Sequence, residues 1–361
     1  MRVEKGMPAI SIDTFFACSL MVILALSAMA GTSKMLYPYI NNVADQNIQE
    51  RFKEISRYIL LNAGAPLSWG QNSQTMPEIF GLAKAEAQGP YELDIDKVSR
   101  LNSENLYALS YAQIFTALKM SDVSFKIEVE LIFEVSISLT ATFNGTDETV
   151  YQFEVLTEDQ GIAVQADLKG YVIAEDYLEA TNVYASNGRT SLNVTLPNTV
   201  EGPVLFVVFA KARCDNRIVS FGVYAFAHNS AEPSSKGTFL RLSPLNYVLN
   251  ASFAYPETVL SDAYALTFDY NSTLTQIASG NQSAAFQIPQ FHDSSPTVLI
   301  VTGQNLTTFF AEWATYPQIP LQIGADLSNL LVTSNVFVYT YIVTIDSGFY
   351  KCTFWLGSPK E

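Results

Sequence analysis

Histidine, cysteine and positive charge are all scarce in this chain, and each scarcity removes a class of function. Two histidines and three cysteines in 361 residues leave little material for a nucleophile–base pair or a metal centre. No Cys/His group has zinc spacing, and no Gly-x-Ser-x-Gly, Walker or dinucleotide-binding phrase occurs. Neither a cofactor nor a metal is expected, and the chain is expected not to be an enzyme. Lys and Arg number 20 against 35 Asp and Glu, a net charge of −15. No basic stretch follows the N-terminus, which excludes nucleic acid and anionic lipid headgroups as partners, because both need clustered cations. Charged residues make up only 15%, below the ~25% of a typical soluble domain. Apolar residues are plentiful at 48%, with 12% aromatic, and this length suits about two or three packed domains.

What the chain has instead is one long apolar run. Residues 14–31, TFFACSLMVILALSAMAG, carry no charge and follow a stub, residues 1–13, that bears Arg2 and Lys5. As a helix the run reaches roughly 27 Å, close to the ~30 Å hydrocarbon core. A transmembrane helix is expected there, with membrane lipid around it, the stub inside and the C-terminal domains outside. A cleaved secretory signal is the competing reading, with Ala28 and Ala30 as its small-residue site. Against it, apolar residues recur at helical spacing beyond the run, at Leu36, Ile40, Val43, Ile48, Phe52, Ile55 and Ile59. Residues 32–63 are therefore expected to continue as an amphipathic helix. Pro38 interrupts it near the membrane, and Asn62-Ala63-Gly64 followed by Pro66 stops it.

Lys5-Gly6 ahead of an apolar helix resembles the class III signal segment of archaeal type IV pilin-like and archaellin-like surface proteins. The resemblance implies a cut after Gly6, with Lys5 and Gly6 as the recognition pair and Met7 as the new N-terminus. It also implies that Asp13 pairs with the N-terminal amine of a neighbouring subunit, so that partners would be further copies or pilin-like proteins. Three phrases after the helix resemble predicted archaeal surface proteins with pilin-like N-termini: Gly64-Ala65-Pro66-Leu67-Ser68-Trp69-Gly70, then Phe80-Gly81-Leu82-Ala83, then Tyr91-Glu92-Leu93-Asp94. No catalytic role attaches to them, and Trp69 reads as a packing residue that docks its loop.

Residues 64–143 read as a small α+β head. A helical piece lies around Tyr107 to Leu118, and Phe125 to Leu139 alternate apolar and polar with period two, which is half-buried strand. Fifteen such residues would reach roughly 50 Å, so a bend or bulge is expected. Asn144-Gly145-Thr146-Asp147 is a turn signal, and residues 144–231 fit an immunoglobulin-like β-sandwich. Within it Val204 to Phe209 is apolar on both faces, the mark of a central strand, and Asp215-Asn216 suits a hairpin turn. Glu232 to Gly237 reads as a linker, and residues 232–361 form a second β-rich domain ending in a hairpin about Asp346-Ser347-Gly348. That hairpin is not assigned to one domain by its pattern. The whole is an α+β chain: spine helix, small head, then β-sandwich domains.

Candidate site residues are few. His228 and His292 are expected in loops or strand ends with solvent hydrogen bonds. Asp94 with Asp96, expected on one strand face, Glu158-Asp159 and Glu175-Asp176 are acidic pairs without the ligand density of a calcium loop. Cys214 and Cys352 lie in β-rich segments where an oxidising exterior permits a bridge, though spacing alone does not place them together. Sequons at Asn144, Asn193, Asn250, Asn271, Asn281 and Asn305 all follow the anchor and read as glycosylation acceptors. Two function classes lead: a pilin-like structural protein, and a single-pass adhesion protein that binds a surface glycan or protein.

Overall fold

The computed structural model describes Met21, Met29, residues 47–327 and residues 333–359. Lys5, Gly6, Met7, Asp13 and most of the 14–31 run lie outside the described residues. Among the described residues no helix is long and apolar enough to cross a membrane. The chain divides into two units, Met1–Ile55 and Ser56–Glu361. In the first, residues 47–55 are helical. The second is mostly β with few helices, arranged as several antiparallel sheets. It begins with helical residues 56–61, and the helix stops where Gly64 takes a φ of 76°, the left-handed conformation that glycine adopts at helix ends.

The head is built from both ends of this unit. Its five-stranded sheet runs in the order Glu92–Leu93, Thr333–Ile345, Gly348–Pro359, Ser124–Glu130, Leu321–Gly324. Ser124–Glu130 turns Phe125, Ile127 and Val129 inward, and these stand opposite Leu356, Phe354 and Cys352. The C-terminal hairpin therefore belongs to the head, not to the domain that precedes it in sequence. A helix, Tyr111–Leu118, forms where expected, held by a capping box between Ser110 and Gln113.

The alternating run from Phe125 to Leu139 is two strands, not one bent strand. It breaks at residues 131–133, and Glu134–Asn144 joins a different sheet. The chain thus leaves the head before Asn144 and returns only at Leu321–Gly324. Everything between is inserted between two neighbouring strands of the head sheet.

That insertion contains four sheets with apolar cores between successive pairs. The first holds Glu134–Asn144, Glu148–Asp159 and Arg189–Pro197; the second holds Gln165–Ala174, Gly202–Ala212 and Val219–His228. Phe153, Val155 and Leu192 meet Leu168, Phe206 and Val208 between them. Alternate residues of the same strands point the other way: Ile173, Leu205, Val207 and Phe209 pack against Tyr264, Leu266, Val298 and Ile300 of a third sheet. The third sheet, with Thr258–Leu266, Thr297–Asn305 and Thr308–Tyr316, then turns Ala265, Leu299 and Val301 onto Leu242, Leu249 and Phe286 of a fourth. This explains the doubly apolar run at Val204 to Phe209. An inner sheet buries both faces, so period two disappears from its hydrophobicity while persisting in its geometry. The linker from the second sheet to the fourth is pinned to the third, because the buried Glu312 carboxylate accepts from the amides of Gly237 at 2.6 Å and Phe239 at 3.0 Å.

Candidate functional site

The three phrases singled out in the N-terminal part of the head converge on one side chain. Trp69 is fully buried, with its indole N–H donating to the carbonyl of Gly81 at 3.2 Å. Lys97 and Arg100, both on or beside the short helix Ile95–Ser99, lie over its ring at 5.9 and 5.6 Å. Lys97 Nζ donates to the carbonyls of Ala63 and Ala83, each at 2.8 Å. Arg100 Nη1 donates to the carbonyls of Trp69, Asn72 and Thr75, and Nε to that of Tyr107. Burial pushes both cations' pKa values down, with Asp94 and Asp96 opposing. The Lys97 Nζ and the Arg100 Nη1 and Nε donors all go to main chain, which closes these loops, while the buried Arg100 Nη2 has no hydrogen-bond partner among the described residues.

The expected strand carrying Asp94 and Asp96 is a two-residue strand followed by that helix. Asp94 caps the helix, accepting from the amides of Asp96 and Lys97. Asp96 is buried and faces the inserted sheets. Its Oδ1 accepts from the Tyr316 hydroxyl at 2.7 Å and from the amide of Asn246 at 2.7 Å. Burial, chiefly, lifts the Asp96 carboxyl to about 6; Asp94 adds to this and Arg100 opposes it. Beside it Asn102 Nδ2 donates to the carbonyls of Gln318 and Pro320, and Asn105 Nδ2 to Gln318 Oε1. This polar seam docks the head onto the third and fourth sheets.

A cleft of about 520 Å³ opens where the chain leaves and re-enters the head. Phe221 and Trp313 supply its aromatic wall, edge to face at 6.2 Å. Glu130, Glu134, Glu158 and Asp159 supply carboxylates, and Lys351 supplies an ammonium that pairs with Glu130 at 3.0 Å. Glu134 and Glu158 stand directly opposite each other across two strands. Like charges in that position repel, so this rim favours a ligand that brings hydroxyl donors or positive charge. Ring surface beside acceptor oxygens is the chemistry of a sugar or cationic side-chain subsite.

The other singled-out residues disperse. His228 is fully buried rather than solvated: Nδ1 lies 2.8 Å from the Tyr151 hydroxyl and Nε2 3.0 Å from the carbonyl of Pro197. The Asn229 side-chain nitrogen also lies 3.2 Å from Nε2. His292 is exposed, as expected. Asp293 orders its own loop, accepting from the amides of Asp269 and Ser295. Among the described residues no three His, Cys, Asp or Glu side chains are grouped to hold a metal ion. Cys214 is exposed and Cys352 buried beneath the head sheet, and both are free thiols; the bridge permitted by sequence is not made. Asn144, Asn193, Asn271 and Asn281 are exposed, whereas Asn250 and Asn305 are half-buried. Of the cleft residues the sequence singled out only Glu158 and Asp159. Glu130, Glu134, Phe221, Trp313 and Lys351 come from four distant segments, and no local signal joins them. No protein-family model and no curated protein matches this chain.

Proposed function

We propose that this is a pilin-like, membrane-anchored cell-surface protein of archaeal type. Its N-terminal helix holds it in the membrane or in a filament core, and its α+β head and immunoglobulin-like sandwiches are displayed outside. The observation that carries the reading is the uncharged run at 14–31, behind a basic stub and ahead of a helical segment. Lys5-Gly6 supports processing after Gly6, leaving Met7 at the N-terminus. The role is presentation and contact rather than catalysis. Protease added to intact cells is expected to remove the β domains, and mass spectrometry of the surviving chain should find Met7 first. Domains that resist until lysis would reverse the topology, and a wild-type terminus at Met1 or beyond Gly31 would remove the signal assignment.

A second reading, favoured by the cleft, is a surface adhesion protein that forms no filament. Phe221, Trp313 and the facing carboxylates then bind a glycan or a basic protein segment. Trp313→Ala should abolish binding on a glycan array while leaving surface display intact; array binding that persists unchanged removes this reading.

A further inference from the structure

The six sequons divide into two groups by their place in the sheets. Asn144 ends Glu134–Asn144 and Asn193 lies within Arg189–Pro197. Among the described residues both of these strands pair only with Glu148–Asp159, as edge strands of the first sheet. Asn271 opens Asn271–Thr273, an edge of the third sheet that pairs only with Thr258–Leu266. Asn281 follows Thr275–Gly280, an edge of the fourth sheet that pairs only with Ser283–Gln287. Asn250 and Asn305 lie instead in inner strands. Asn250 stands between Ser243 and Ala285, and Asn305 between Thr258 and Thr308.

Exposure and hydrogen bonding follow the same division. Asn144, Asn193, Asn271 and Asn281 are exposed, and among the described residues their side-chain amides bond to nothing. Their hydroxyl partners two positions on, Thr146, Thr195, Thr273 and Ser283, are exposed as well. Within a strand this is geometry, because residues i and i+2 share one face. Asn250 Nδ2 instead donates to the Ser243 carbonyl, and Asn305 Oδ1 accepts from the Thr258 hydroxyl, both at 3.5 Å.

We propose that Asn144, Asn193, Asn271 and Asn281 each carry an N-linked oligosaccharide and that Asn250 and Asn305 carry none; the proposal rests on the exported reading above. The co-substrate class is an oligosaccharide joined through phosphate to a lipid. Nδ2 attacks C1 of the linking sugar, and the N–C bond forms as the C1–O bond breaks. The lipid phosphate leaves with the electron pair, and one Nδ2 proton passes to a base on the transferase. An edge strand gives up one ladder of main-chain bonds to enter an enzyme, whereas an inner strand gives up two. The sugars also supply what an edge here lacks. Thr275–Gly280 is exposed at all six residues and has no charge or proline, the usual protections of an edge. A bulky hydrated group on Asn281 stands beside that strand and keeps a further strand off it. All four acceptors lie in the inserted sheets, which leaves the head bare.

The test is glycopeptide mass spectrometry on the full chain, taken from the membranes of the cells that make it. Occupancy at each of the four edge sequons is expected to exceed that at Asn250 or Asn305 by at least ~10-fold. Ser283→Ala keeps Asn281 but removes the hydroxyl, and should strip the sugar from that residue alone. Ile277→Asn makes a new sequon with Ser279 on the same exposed edge and should add a sugar there. Equal occupancy at inner and edge sequons overturns the proposal, as do unmodified edge sequons or an Ile277→Asn chain that gains no sugar. Protease on intact cells separates the two failures. Digestible β domains without sugar sink this inference alone, and domains sheltered until lysis sink it together with the exported reading.

Discussion

Asp96 shows how one residue couples docking to pH. Its carboxyl is 2% exposed and lifted from 3.8 to about 6 in the folded chain. Well below pH 3.8 the group is neutral folded and unfolded, and its burial carries no ionisation penalty. As pH rises from about 3.8 to about 6 the unfolded chain ionises first, and stability falls; above that window the full penalty remains, on the order of 3 kcal/mol. Asp96→Asn should therefore stabilise the protein at pH 8 by about 2–3 kcal/mol and leave it nearly unchanged at pH 4. Chemical denaturation at the two pH values measures this, and a variant less stable at pH 8 refutes it. His228→Ala removes the partner of two buried groups, the Tyr151 hydroxyl and the Pro197 carbonyl, and should cost on the order of 2–3 kcal/mol. His292→Ala, on an exposed loop, should stay within about 0.5 kcal/mol of wild type. Equal effects in thermal melts would contradict these assignments.

At the scale of elements, two close approaches decide the architecture. A Cβ on Gly81 would lie 2.2 Å from the carbonyl oxygen of Asn62, main chain against main chain. No rotamer relieves that clash, so Gly81→Ala should separate the Phe80-to-Ala83 segment from the helix end and cost on the order of 3 kcal/mol. Fluorescence of the buried Trp69, whose indole bonds to Gly81, reports the change. The second approach is the face of Gly202–Ala212 that meets the third sheet. Leu205→Ala should cost on the order of 3 kcal/mol at that core, although the opposite face is untouched. Denaturation in two separate transitions, with only the third and fourth sheets unaffected, would show that the core between the second and third sheets does not couple the two halves. The long alternating run was legible as β from Phe125, Ile127 and Val129 onward. Its division between two sheets was not, because the residues after the break keep the same alternation.

At the largest scale, the unit Ser56–Glu361 is a head sheet interrupted by four inserted sheets. Ending the chain at Gly324 removes Thr333–Ile345 and Gly348–Pro359, which lie inside the head sheet order. Residues 64–130 should then lose protection from limited proteolysis while residues 134–316 keep theirs. Survival of a protected head would mean that Ser124–Glu130 does not need its C-terminal neighbours.

Local chemistry determined much of this. The stop at Gly64, the capping box at Ser110, the turn at Asp215-Asn216 and the terminal hairpin each follow from side chains within a few residues. The doubly apolar Val204 to Phe209 announced an inner strand for the same reason. The packing role of Trp69 was also legible, since its loop holds nothing ionisable to serve a ligand. Tertiary structure alone decided which sheet received the C-terminal hairpin, that His228 is buried, and that five residues from four segments share a cleft with Glu158 and Asp159. It also decided that Cys214 and Cys352 stay apart. Period two says that a strand is half-buried, and propensity says where it bends or ends. Neither says which distant strand will satisfy its hydrogen bonds, because any edge of matching length and alternation can do so until the remaining cores have been packed.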